Sequence, residues 1–126
     1  MKLHLANAGD KNVIRQHSSS TVVINDQTLY TSLIVTPDKI IPDWPPRHIE
    51  DVTADHFAAI AALSPEVVIL GTGQRLCFPH PQVTQSLTKN GIGVEVMDTA
   101  AACRTFNVLV GEDRMVAAAL IIPQNG

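Results

Sequence analysis

A chain of 126 residues with 45% hydrophobic and 17% charged side chains is long enough to bury one core and too apolar to be disordered. Its net charge of −3, with no cluster of Lys or Arg, argues against a broad phosphate-binding face, so nucleic acid is not an expected partner. No apolar run approaches the length of a membrane span, which argues against direct membrane insertion.

The N-terminal stretch Met1 to Asn7 is polar apart from a short patch at Leu3 and Leu5. It has neither the apolar core of a signal peptide nor an Arg-rich transit segment, so the expected location is cytoplasmic. The two cysteines, Cys77 and Cys103, show no framework spacing and are expected to be free thiols.

From Val13 onward the chain reads as β structure. Val13 to Gln16, the β-branched run Thr21 to Ile24, and Leu29 to Val35 are three candidate strands, with Asn25-Asp26 as a turn between the second and third. Pro37, Pro42, Pro45 and Pro46 then leave Ile40-Ile41 as an edge strand at best. Trp44, set among these prolines, reads as a lid over core surface, with an exposed partner anchor as the alternative.

Thr53 to Asp55 opens the first helix, whose Phe57, Ile60 and Ala61 share one face, and Ser64-Pro65 stops it. Val67-Val68-Ile69-Leu70 is apolar at every position, as a strand buried on both faces must be, and Gly71-Thr72-Gly73 allows a sharp turn at its end. Pro81 to Asn90 is a second helix with Val83 and Leu87 inward. Ile92 to Met97 is another strand. Thr99 to Leu109 is an alanine-rich third helix, with Thr99 as its expected N-cap. After the polar turn Gly111 to Arg114, Met115 to Ile122 is a last strand, apolar enough to be interior.

This order predicts an α/β fold in a single domain spanning 1–126, with a β-rich part over about 12–42 and an α/β part over about 53–123. A ligand crevice in such sheets forms beyond the C-terminal ends of parallel strands. Gly71, Thr72, Gly73 and Arg75 therefore form a candidate anion cradle, alongside Arg104, Thr105 and Asn107 on the third helix. The alternative is architecture: a turn dictated by close packing, and a polar cluster bonded to Glu95, Asp98 or Glu112. The glycine spacing fits neither a Walker loop nor a dinucleotide fingerprint. Cys77 and His80 have metal-ligand spacing but lack two companions, so no metal is expected. Cys103 lies among apolar helix positions and reads as a buried structural thiol. No catalytic motif is present, so no catalytic residue and no cofactor are expected.

Several segments together resemble one family. They are Ile69 to Gly73, Gly91-Ile92, Glu95 to Thr99, Ala101-Ala102-Cys103-Arg104-Thr105-Phe106-Asn107, and Arg114 to Leu120. Over roughly residues 12 to 123 the chain is similar to the small α/β proteins that include the mitochondrial respiratory complex I (NADH:ubiquinone oxidoreductase) assembly factor 3 and bacterial and archaeal members. The resemblance implies three layers: a central mixed sheet, helices on one side, and an N-terminal antiparallel β layer. It implies a non-enzymatic interaction protein, with a membrane-associated complex among the candidate partners, and transfers no catalytic residue. The alternative is a small-molecule or anion-binding protein, or an enzyme, using the Gly71-Thr72-Gly73 turn. Oligomeric state is not legible.

Overall fold

Near the N-terminus, apolar side chains sit where a two-residue turn lets them meet. Asn25 adopts φ 55°, a left-handed conformation that asparagine tolerates. Its side chain also accepts from Val13 N–H (3.0 Å) and donates to Asn12 (2.9 Å). Around that turn run β1 (Ile14–His17), β2 (Val22–Ile24) and β3 (Gln27–Leu29), an antiparallel sheet in which Val22 faces Leu29 and Ile24 faces Gln27. The computed structural model describes residues 11–123; the Leu3 and Leu5 patch, and the leader-free reading of Met1 to Asn7, lie outside the described residues.

The stretch from Leu29 to Val35, expected as one strand, is two. Tyr30 to Ser32 carry the chain from the small sheet into a second one, where β4 (Leu33–Val35) begins. Ser32 makes that crossing specific: its hydroxyl accepts from Ile122 N–H (2.9 Å) and its carbonyl from Trp44 N–H (2.8 Å). The second sheet has the order β5 (Ile40–Ile41), β4, β8 (Val116–Leu120), β6 (Val67–Gly71), β7 (Gly93–Met97). Its β5–β4–β8 part is antiparallel and its β8–β6–β7 part parallel.

The connections explain the layers. The chain leaves β6, passes through α2 (Pro81–Lys89) and returns as β7 on one flank. From there it passes through α3 (Thr99–Gly111) and re-enters as β8 on the other flank. Right-handed crossovers taken in opposite directions put their helices on opposite faces. Accordingly Leu87 of α2 shares one cluster with Val68, Leu70, Ala117 and Ala119, together with Phe57 and Ile60 of α1 (Ala54–Ala61). Phe106 of α3 shares the other with Ile69, Ala118, and Ile14 and Ile24 of the small sheet. The three layers with a central mixed sheet are thus present, and α3 stands beside the antiparallel β layer.

Every residue of β6 and β8 is buried, because each strand has a neighbour on both sides and cover on both faces. Trp44 is 7% exposed and packs in the α1–α2 cluster, edge-on to His56 with ring centroids 5.8 Å apart, so it is the lid. Among the described residues no helix is long and apolar enough to cross a membrane.

Leu70 is fully buried at the centre of that cluster. Leu70→Ala should therefore destabilise the fold by about 2–5 kcal/mol, the transfer term plus the cavity left behind. Urea unfolding reads this directly; a loss under about 0.5 kcal/mol, the scatter of surface substitutions, would contradict the packing.

Candidate functional site

The C-terminal ends of β6 and β8 meet the first turn of α3. A Cβ on Gly71 would lie 3.0 Å from Thr99 Cα and 3.1 Å from Ala102 Cβ. Glycine is required there so that the helix can rest on the strand exit. Gly73, at φ +97°, turns the chain in a conformation that side chains disfavour.

Thr99 ties these pieces together. Its backbone N–H donates to the Gly73 carbonyl (2.9 Å), and its hydroxyl accepts from Gly73 N–H (2.8 Å) while donating to the Ile121 carbonyl (2.8 Å). The helix cap, expected at Thr99, is instead Asp98, whose carboxylate accepts from Ala101 N–H (2.8 Å). The reason is competition for one hydroxyl: Thr99 Oγ1 is already engaged by the Gly73 N–H and the Ile121 carbonyl.

Beyond Gly73 the chain forms a braced loop. The Thr72 hydroxyl donates to the Arg75 carbonyl (2.5 Å) and accepts from Cys77 N–H (3.2 Å). At its far end His80 caps α2, Nδ1 accepting from Gln82 N–H (3.1 Å). Between these fixed points Leu76 is 52% and Phe78 70% exposed, with Arg75 and the free thiol of Cys77 also exposed. Cys103, the other free thiol, is buried. Burial pushes it up to about 12, and the Arg104 charge offsets only part of that, so it stays protonated at neutral pH.

An open cavity of about 340 Å³ lies where the small sheet meets the strand ends. Its walls are His17 to Ser19, Gly73 and Gln74, Asp98 to Ala100, and Ile121 to Pro123. Of the candidate groove residues, Gly73 lines this cavity. Gly71 and Thr72 are buried behind it, the first against α3 and the second bracing the loop. Arg75 and Arg104 are exposed and, among the described residues, form no ion pair. Thr105 is half-buried. Asn107 accepts from Ile14 N–H (2.9 Å) and donates to Ile14 C=O (2.8 Å), stapling β1 to α3. None of these bonds reaches Glu95, Asp98 or Glu112.

Sequence reasoning missed the cavity's His17 to Ser19 wall, because polar residues between two strands carry no sign of what they will face. It also passed over Leu76 and Phe78. The signal available was an apolar pair in a segment that keeps neither helical nor strand period.

The family model described as "Protein of unknown function (DUF498/DUF598)" matches residues 14–121. The chain belongs to this family. A zebrafish (Danio rerio) relative, NADH dehydrogenase [ubiquinone] 1 alpha subcomplex assembly factor 3, is 40% identical over 116 residues, covering 90% of this chain and 66% of the relative. The chain spans roughly three fifths to two thirds of the length of such curated relatives. Among solved structures, the crystal structure of a Bordetella parapertussis protein is 33% identical with a TM-score of 0.84, covering 90% of this chain and 97% of that one. An NMR structure from Xanthomonas campestris is 39% identical with a TM-score of 0.80, over 88% and 84%.

The Thr99 junction has a direct test. Thr99→Val keeps the shape but leaves the buried Gly73 N–H and Ile121 carbonyl without the hydroxyl, which should cost about 1–3 kcal/mol. Thr99→Ser should recover most of it. Denaturant unfolding of both variants checks the prediction, and a Thr99→Val chain as stable as wild type would remove it.

Proposed function

We propose that the chain is a non-enzymatic interaction protein that helps to assemble a respiratory complex, and that the loop over 74–80 meets its partner. The observation that carries this reading is the loop itself. Leu76 and Phe78 stand in solvent on backbone that Thr72 and His80 hold in place. Large apolar side chains already fixed in position make binding anchors, because docking orders little that was not already ordered. The name of the zebrafish relative supports the class of partner, subunits of complex I, which makes a membrane-associated complex the expected context.

The experiment is affinity capture at endogenous expression with membranes included, comparing wild type with Leu76→Ser, Phe78→Ser. Anchors of this kind contribute about 2 kcal/mol or more each, roughly 30-fold for either one alone, so enrichment of complex I subunits should fall by on the order of several hundred-fold in the double variant. Its melting temperature should stay at the wild-type value. No enrichment with the wild type, or equal enrichment with both chains, would overturn the reading.

A second reading seats a small molecule in the cavity beside Gly73, at the strand ends where open α/β sheets bind ligands. The cavity of about 340 Å³ is the observation in its favour. Thermal shift against small carboxylates, phosphates and amines tests it. A genuine ligand raises the melting temperature of wild type, and Ala100→Leu, which fills the cavity, abolishes that rise. A flat response from wild type retires the cavity as a binding site for these classes.

A further inference from the structure

The larger sheet has two edges, and they differ. β5 is two residues long with Pro42, Pro45 and Pro46 soon after it, so that edge offers little backbone for pairing. β7 is five residues long and, among the described residues, pairs only with β6.

Two hydrogen bonds fix which of its groups face β6. Gly93 N–H donates to the Glu66 carbonyl (3.3 Å), and the Met97 carbonyl accepts from Thr72 N–H (2.9 Å). In a parallel ladder the residues that bond one neighbour alternate, so Gly93, Glu95 and Met97 direct their backbone groups to β6. Val94 and Val96 direct theirs outward, a template of two N–H and two C=O groups for an added strand. The side chains sort the other way. Val94 and Val96 are half-buried on the α1–α2 face, and Glu95 between them is exposed.

We propose that β7 accepts an extended strand from a different polypeptide, with Lys or Arg opposite Glu95 and apolar residues opposite Val94 and Val96. Charge selects this occupant over a second copy. Antiparallel self-pairing that satisfies all four outward groups sets Val94 against Val96 of the copy, which places Glu95 against Glu95. That is a non-hydrogen-bonded pair, with Cα atoms about 4.5 Å apart, where like charges oppose pairing. A basic side chain in the same place reverses the sign. This inference deepens the interaction reading and rests on it in one respect, that a partner protein supplies the strand.

The test uses the full-length, isotope-labelled chain and two synthetic peptides, acetyl-Thr-Val-Lys-Val-Thr-amide and the same peptide with Glu in place of Lys. The Lys peptide should shift the Val94 and Val96 amide resonances and slow their exchange, and should bind roughly fivefold tighter than the Glu peptide. Glu95→Lys should invert that order. Val94→Pro removes an outward donor while leaving the bonds to β6, and should weaken both peptides. The proposal is overturned if neither peptide perturbs β7, if both bind wild type alike, or if Glu95→Lys keeps the wild-type order. Such a result, beside a loop variant that still loses complex I subunits, retires strand addition and leaves the interaction reading in place. Charge-selective peptide binding without capture of complex I subunits does the reverse.

Discussion

One hydroxyl group holds together the end of this fold where β6 and β8 leave the sheet. Thr99 Oγ1 is the point where the exit of β6, the exit of β8 and the start of α3 are joined. The Gly73 N–H and the Ile121 carbonyl lie just beyond the strand ladders, and the one hydroxyl serves both, accepting from the first and donating to the second. The bonds work only because Gly71 lacks a side chain and lets the helix approach to contact distance. The tight glycine turn is therefore a packing device first. Both features offered to the solvent, the cavity wall and the braced loop, are built on this junction and depend on its rigidity.

Much of the architecture could be read from residues. The all-apolar runs of β6 and β8 identified interior strands, since a strand with one solvent face must alternate. Pro81 and Asn90-Gly91 marked the ends of α2, and Asn25 marked a turn that only a few residue types adopt. What was not legible is where two interactions compete for one group. Thr99 and Asp98 are both good caps, and the sequence carries no sign that Thr99 is needed elsewhere. Leu29 to Val35 looked like a single strand because β propensity is local, while the change of sheet at Tyr30 is decided by Ser32 bonding to residues remote in sequence. Asn107 reads as part of a polar cluster that either lines the groove or bonds Glu95, Asp98 or Glu112, for the same reason: its actual partner is Ile14 backbone, far away in the chain.

The candidate groove residues divide along physical lines. Those that the fold needs are buried and bonded: Gly71 and Thr72 inside, Asn107 across to β1. Arg75 and Arg104 are exposed and do not line the cavity. The Xanthomonas campestris and Bordetella parapertussis structures share the layered fold at TM-scores of 0.80 and 0.84. A fold shared so closely still leaves room for function to lie in side chains at its edges and loops, where stability constrains them least.

The position of β8 has a consequence for how the chain comes to be folded. Among the described residues it is the last strand in sequence, yet it lies between β4 and β6, with Leu33 paired to Leu120. Until residues 116–120 leave the ribosome, β4 and β6 have no common neighbour, and the two halves of the sheet cannot join. Folding closes in one step that joins distant segments, and topologies of this kind fold slowly. During that interval β6, apolar at its first four positions, has an open side, which exposes it to wrong pairing until β8 docks.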